Sequence, residues 1–253
     1  MAFTLYNAPQ STCSQRVRFV LNAKQLPFDE VKLNLLEGDQ LKPDYLKLNP
    51  NGVVPTLDHD GQIVTDSNVI TEYLDEVSPD ISFTPKSPVE RARMRALMHF
   101  IDEMPAAAVR VPTFNLAFLP SFQKLSHRAF VEMAESKPLR REFMMTMGQT
   151  GFAPKEMAAA LARLRRTYER MNAEIEKSGG PWLLGKDISL ADVAVMPALV
   201  RMHDLDMAHQ WQDLPRVVTW FDNIRAHPAF KPTYYHGSLL SERFPHLREK
   251  APA

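Results

Sequence analysis

Residues 53–67 read Val53-Val54-Pro55-Thr56-Leu57-Asp58-His59-Asp60-Gly61-Gln62-Ile63-Val64-Thr65-Asp66-Ser67. Two short apolar runs flank Asp60-Gly61, a dipeptide that favours a tight hairpin because both residues tolerate positive φ. Pro55 has no N–H to give to a ladder, so its strand must lie at an edge or in a special geometry. Asp66-Ser67 then opens a helix that carries Val69, Ile70, Tyr73 and Leu74 at helical spacing. This stretch therefore reads as strand, strand, helix.

Toward the N-terminus, Phe3-Thr4-Leu5-Tyr6 alternates like a strand and is closed by the turn-rich Asn7-Ala8-Pro9-Gln10. Ser14 to Lys24 predicts a helix with Val17, Phe19, Val20, Leu21 and Ala23 on its buried face. Phe28 to Leu33 is a second strand, and Asp39 to Leu48 a polar, helical stretch. The order β-α-β-α-β-β-α combines a parallel, right-handed βαβ unit with an antiparallel hairpin. That is the thioredoxin topology. Toward the C-terminus, Pro79, Pro85 and Pro88 mark residues 78–88 as a linker. Beyond it the pattern is helical. Glu90 to Val109 reads as one long helix, and residues 112–153 as shorter pieces between prolines. Pro154 to Lys177 is amphipathic, with Met157, Leu161, Leu164, Tyr168, Met171 and Ile175 on one face. Ser189 to Met202 and Pro215 to Ala226 complete the set. The predicted fold class is an α/β thioredoxin-like domain over residues 1–80, followed by an all-α domain over residues 88–253.

With 253 residues the chain can bury two such cores. Lys+Arg and Asp+Glu both number 30, so bulk charge gives no case for nucleic acid or an anionic membrane. The single cysteine, Cys13, excludes a disulfide framework and Cys-rich zinc sites, and no metal is expected. The opening Met-Ala-Phe-Thr-Leu-Tyr lacks a leader's basic and apolar regions, and no run of about 18 apolar residues occurs, so the expected location is the cytoplasm. Nucleophile-elbow, dinucleotide, Walker and zincin motifs are absent from the sequence. The eight histidines are scattered. Arg163, Arg165 and Arg166 read as a solvated helix face. Met144, Met145 and Met147 suit either a core or an adaptable pocket.

Four constellations carry the chemistry. Ser11-Thr12-Cys13-Ser14 lies where the first strand passes into the first helix. A helix N-terminus offers unpaired N–H groups and partial positive charge, which stabilise a thiolate. The same residues also make an ordinary N-cap cluster. Asn51-Gly52-Val53-Val54-Pro55 suits a cis bond before Pro55, with the Val54 main chain free to pair with a peptide-like ligand. It equally suits a turn into an edge strand. Asp66-Ser67 can cap a helix or hold a carboxylate there. Ser189-Leu190-Ala191-Asp192 has the form of a capping box, with Ser189 reaching the Asp192 N–H and Asp192 reaching back.

In this order the four constellations resemble the cytosolic glutathione transferase superfamily. The resemblance covers nearly the whole chain and is best over Ser11 to Arg18, Asn49 to Leu57, Thr65 to Leu74 and Ser189 to Val195. It implies glutathione as cosubstrate, a small-molecule electrophile as partner, and a homodimer. It further implies that Val54, before a cis-Pro55, pairs with the cysteinyl part of glutathione, that Asp66 and Ser67 hold its γ-glutamyl end, and that Gln40 takes its glycine end. Ser-Thr-Cys-Ser-Gln-Arg-Val-Arg is similar to the zeta-class pattern, which implies catalysis by Ser11 supported by Thr12. It is also similar to glutathione-dependent dehalogenases, which implies an essential Cys13 beside Ser11. In the bacterial β-etherases of lignin breakdown the useful hydroxyl matches Ser14. The segment Phe118 to Met157 resembles the helical insertion of a β-etherase branch, and implies cleavage of β-aryl ethers. Met104, Phe114, Phe118 and Phe143 are the expected substrate wall. A non-catalytic glutathione-binding or interaction protein is the alternative of a different class.

Overall fold

The computed structural model describes residues 2–248. Strand β1 (Phe3–Asn7) alternates buried and half-buried residues, as a strand with one packed face should. It lies at the centre of a four-stranded sheet in the order β2-β1-β3-β4. It pairs in parallel with β2 (Phe28–Lys32), Phe3 opposite Phe28. It pairs antiparallel with β3 (Thr56–His59), Leu5 opposite Leu57, and β3 turns into β4 (Gln62–Thr65) through Asp60-Gly61. Helix α1 (Thr12–Ala23) makes the parallel crossover, α2 (Pro43–Leu48) precedes the hairpin, and α3 (Ser67–Val77) follows it. The expected topology is the observed one.

α1 packs against α3 and against two later helices, α11 (Leu190–Asp204) and α13 (Phe230–Thr233). Every residue from Ser14 to Leu21 is buried, the polar ones included. Arg18, fully buried, donates to Asn7 Oδ1 at 2.6 Å, Pro9 O at 2.8 Å and Thr233 O at 3.2 Å. Arg16 donates to Ala194 O at 2.9 Å and to Asp102 Oδ1 at 2.9 Å. At the other end of α1, Lys24 forms a buried ion pair with Asp75 at 2.8 Å. Asp75 also accepts the Phe83 N–H at 2.8 Å, and Lys24 donates to Ser78 O at 2.6 Å. The segment between α3 and the next helix, which has no regular structure of its own, is thereby held to α1.

Two expected helices are divided, both by the residue before a proline. The expected helix from Glu90 to Val109 ends at Glu103: α4 is Pro88–Glu103 and α5 is Pro105–Ala108. Met104, between them, has φ −96° and ψ −80°. Pro105 has no N–H for the helical ladder, and its ring crowds the preceding turn. The stretch from Asp39 to Leu48 splits likewise into a 3₁₀ turn, Asp39–Leu41, and α2, with Lys42 extended before Pro43.

Residues 110–147 fold as α6 (Arg110–Thr113), a π-helical turn (Phe114–Phe118), α7 (Leu119–Phe122), α8 (His127–Glu135) and α9 (Arg141–Met147). They enclose a small core of Phe122, Phe130, Ala134, Met144 and Met147. The Asn115 side chain fastens the ends of this segment: it donates to Phe152 O at 3.0 Å and accepts the Phe152 N–H at 2.8 Å. Gly151, at φ +84°, brings the chain against Asn115, and a Cβ there would lie 3.0 Å from Asn115 Oδ1 and 2.7 Å from Leu119 Cδ2.

α10 (Pro154–Ser178) buries Leu164, Tyr168, Met171 and Ile175 and ends at Gly179 in the left-handed conformation. Arg165 on it is not merely solvated. It holds Asp213 through two bonds of 2.6 and 2.7 Å, tying α10 to the loop before α12 (Pro215–Ala226). At the start of α11 the capping box is half as expected. Asp192 does reach back, its Oδ2 accepting the Ser189 N–H at 2.9 Å, but Ser189 Oγ donates to the same oxygen at 2.7 Å. Asp192 Oδ1 accepts the Leu183 N–H at 3.0 Å and Trp220 Nε1–H at 2.8 Å. The carboxylate is fully buried, and its desolvation pushes its pKa up against the pull of these four donors.

Asp192→Ala would strand three buried N–H donors, each worth about 1–3 kcal/mol when left unpaired. A loss of roughly 3 kcal/mol or more is expected in urea unfolding, with partial recovery in Asp192→Asn.

Candidate active site

β1 delivers the chain into the turn Asn7–Gln10, and Ser11 becomes the N-cap of α1. Its Oγ accepts the Ser14 N–H at 3.3 Å, and its own N–H donates to Ala8 O at 3.0 Å. The Thr12 and Cys13 N–H groups have no acceptor among the described residues. Ser11, Thr12 and Cys13 are half-buried and line one cleft. Ser14 does not: it is fully buried, and its Oγ faces the Ala8 N–H at 3.4 Å. The structure thus separates Ser14 from the other two candidate catalytic residues, because the third helical position turns inward beneath β1's exit.

The loop after α2 supplies the next wall. The Val54–Pro55 bond is cis, as expected. Tyr45 Oη donates to Val53 O at 2.6 Å and Asn49 Nδ2 donates to the same carbonyl at 3.0 Å. Both side chains also bond Thr56 Oγ1, at 2.9 and 3.1 Å. These contacts fix the loop so that Val54 lines the cleft, its N–H and C=O without partners among the described residues. The sequence reading overlooked Tyr45 and Asn49, which act through the loop they brace. Gln40 also lines the cleft, and its buried Oε1 has no partner there. Pro55 is not on the lining.

Asp66 and Ser67 lie outside the cleft lining, at the start of α3. Asp66 is at φ 71° and ψ 129°, a conformation that costs a non-glycine residue about 1–3 kcal/mol. Its Oδ1 accepts the Asn68 and Val69 N–H groups at 2.9 and 3.2 Å, a true N-cap. Ser67 Oγ accepts from Arg16 at 3.3 Å. Asn68 accepts from the same guanidinium nitrogen at 3.1 Å and donates to Asp102 Oδ2 at 2.6 Å. Arg16 therefore connects the N-termini of α1 and α3.

The helical segment closes the far side. Phe114 and Phe118, from the π-helical turn, line the cleft with Phe122, Met133 and Met144. π-helical turns inside helices recur at functional sites. Two expected wall residues are not on the lining. Phe143 stands behind Phe114, edge to face at 4.9 Å, while the adjacent Met144 reaches the cleft. Met104 sits at the break between α4 and α5. The cleft has a volume of about 350 Å³, within the range of small-molecule sites. The lining also contains five cationic side chains that the sequence did not single out, Arg110, Lys137, Arg140, Arg201 and Arg243. Arg201, buried, donates to Thr113 Oγ1 at 3.3 Å and to the Gln10 carbonyl. Burial pushes its guanidinium down to about 10, so it remains charged at neutral pH. Among the described residues no cluster of three or more His, Cys, Asp or Glu is placed to hold a metal, and no helix is long and apolar enough to cross a membrane.

Comparison with known proteins agrees with the fold. Residues 10–77 match the glutathione S-transferase N-terminal domain, and residues 154–223 the glutathione S-transferase C-terminal domain. The maleylacetoacetate isomerase of Dictyostelium discoideum is 40% identical over 198 residues, 78% of this chain and 77% of the relative. Protein LigF of Sphingobium sp. is 28% identical over 243 residues, 92% of this chain and 93% of the relative. The crystal structure of the β-etherase LigF from Sphingobium sp. strain SYK-6 superposes with a TM-score of 0.81 at 26% identity, over 92% of this chain and 99% of that one. Glutathione is the cosubstrate of proteins of this kind. The chain belongs to the glutathione S-transferase family.

Proposed function

We propose that this enzyme uses bound glutathione to cleave β-aryl ethers, with residues 1–80 binding the glutathione and residues 88–253 the ether. The observation that carries the reading is the single cleft joining the Ser11–Cys13 end of α1 to Phe114, Phe118 and Phe122. The likeness to the etherase LigF covers 92% of this chain, and the segment that supplies these aromatics is the part of the sequence that resembles an etherase insertion.

The Val54 main chain pairs with the cysteinyl residue of glutathione, which directs the sulfur toward the start of α1. Gln40 takes the glycyl end. Asp66 and Ser67 take the γ-glutamyl end, beside Arg16. Ser11 Oγ already accepts one N–H, so its own hydrogen is free to be donated to the sulfur. With the free Thr12 and Cys13 N–H groups and the helix dipole, it favours the thiolate over the thiol. The sulfur attacks the carbon that carries the aryloxy group. A C–S bond forms, the C–O bond breaks, and the aryloxide leaves with its electron pair. The thiol's proton is released before attack and is regained by the aryloxide from solvent. Holding both reactants in one cleft supplies the orientation that makes the displacement effectively unimolecular.

A dehalogenase reading rests on Cys13, which lines the same cleft. Its thiolate would attack the sulfur of a glutathione–substrate conjugate. The S–S bond of a mixed disulfide forms as the C–S bond breaks, and the electron pair leaves on the substrate carbon, which takes a proton from solvent. A binding protein that has kept only the fold is separated by turnover. We further propose a homodimer that acts in the cytoplasm, as the family does, and sedimentation of the purified chain tests the dimer.

Ser11→Ala is expected to lower kcat/KM for a β-aryl ether about tenfold to a hundredfold, the value of one hydrogen bond to an anion. It should also raise the pKa of the bound thiol, followed by thiolate absorbance in the ultraviolet. Cys13→Ala is expected to keep ether cleavage within about threefold, since the displacement needs no second thiol. Abolished turnover in that variant would move the assignment to the mixed-disulfide reaction.

A further inference from the structure

The cleft is lined by Arg110, Lys137, Arg140, Arg201 and Arg243, and by no Asp or Glu. The chain as a whole is charge-balanced, with 30 acidic and 30 basic residues, so this is a local concentration of one sign. Among the described residues none of the five forms a salt bridge, although many surface arginines and lysines do. An enclosed space lined by one sign of charge concentrates ligands of the other.

The five divide into two groups. Arg201 and Arg243 are used within the protein: Arg201 as described, and Arg243 by donating to Asn34 Oδ1 at 2.9 Å and Gln10 Oε1 at 3.4 Å. They brace the glutathione side of the cleft. Arg110, Lys137 and Arg140 come from the helical segment that supplies the aromatic wall. The Arg110 guanidinium and the Lys137 ammonium donate to no side chain or carbonyl among the described residues, and Arg140 donates only to the carbonyl of its neighbour Leu139, at 2.9 Å. All three are half-buried. Burial lowers the pKa of Arg110, and repulsion from Arg140 is the next cause, so these two guanidinium groups lie within each other's field. Burial lowers that of Lys137 as well. Asp102, whose charge also acts on Arg110, is engaged by Arg16 at 2.9 Å. Gathering like charges where water is partly excluded costs stability, and that cost is offset when an anion binds.

We propose that the acceptor substrate is an aromatic carboxylate, its ring against Phe114, Phe118 and Phe122 and its acid group held by Arg110, Lys137 and Arg140. This rests on the glutathione reading above and deepens it by assigning the charge of the second substrate. An uncharged aryl ether would leave the half-buried Arg110 and Lys137 without partners and Arg140 with a single carbonyl. A ring that bears a carboxylate satisfies both the aromatic wall and its charged rim. The three residues touch a part of the substrate remote from the bond that breaks, and act as specificity determinants.

Two glutathione conjugates that differ only in the acid test this by titration calorimetry on the full chain: S-benzylglutathione and S-(para-carboxybenzyl)glutathione. The carboxylate conjugate is expected to bind at least about tenfold more tightly, with the advantage shrinking as salt is raised. Lys137→Gln combined with Arg140→Gln should bring the ratio of the two affinities close to one, and Arg140→Gln alone should bring it part of the way. Arg128→Gln, on the exposed outer face of α8 and paired with Glu132, changes net charge without touching the cleft and should keep the wild-type ratio. Equal affinities in the wild-type protein, or a ratio that the cleft variants leave unchanged, overturn the proposal. If neither conjugate binds, the glutathione reading itself falls and this inference falls with it.

Discussion

From Ser14 to Leu21 helix α1 has no solvent face. A helix buried on every side must satisfy its polar side chains inside the protein, and α1 carries two arginines in that position. Isolated in the interior, each guanidinium would be too costly to keep charged. Arg18 meets the cost with carbonyls and an amide from β1's exit and from Thr233 far along the chain; Arg16 meets it with Ala194 on α11 and with Asp102. The acceptors lie on different elements, so neither arginine can be satisfied until the sheet and the later helices have closed around α1. Burial of these charges makes the two halves of the molecule depend on each other, and it fixes the direction in which the N-terminus of α1 points. The cleft is where that terminus emerges.

The fold was legible wherever it depended on neighbours in sequence. Asp60-Gly61 fixed the hairpin through its allowed dihedral angles, and strand and helix periodicities gave the order of the elements. The broken helix at Met104 was legible too, since Pro105 was in plain view, but the apolar spacing of Glu90 to Val109 outweighed it in the reading. The site was legible in part. Ser11 to Cys13, Gln40, Val54, Phe114 and Phe118 do meet in one cleft. Successive residues of a helix point about 100° apart. A string of four small polar residues therefore cannot show which of them is turned inward, and Ser14 is. Phe143 and Met144 exchange roles for the same reason. The basic lining left no mark on the sequence at all. Arg110, Arg201 and Arg243 come from separate elements, Lys137 and Arg140 from the connection between α8 and α9, and a balanced total charge conceals them.

The two sides of the cleft, which the proposed function assigns to glutathione and to the acceptor, are built by different physics. The first is main-chain geometry: a helix terminus, the Val54 N–H and C=O, and a loop braced by Tyr45 and Asn49 through one carbonyl and one hydroxyl. Main-chain groups change little when side chains are replaced. The second is a layer of phenylalanine rings and free cations on short helices, where each side chain sets shape or charge directly. On the proposed assignment, glutathione is met by main-chain groups and the acceptor by side chains.

The two reciprocal hydrogen bonds between Asn115 and Phe152 join the ends of a segment that packs largely on its own rings and methionines. Such a segment behaves as a cassette. Its contents can be rewritten residue by residue while the clasp at its base keeps the same span. Selection for a new substrate then has a region to act on that carries a small core of its own.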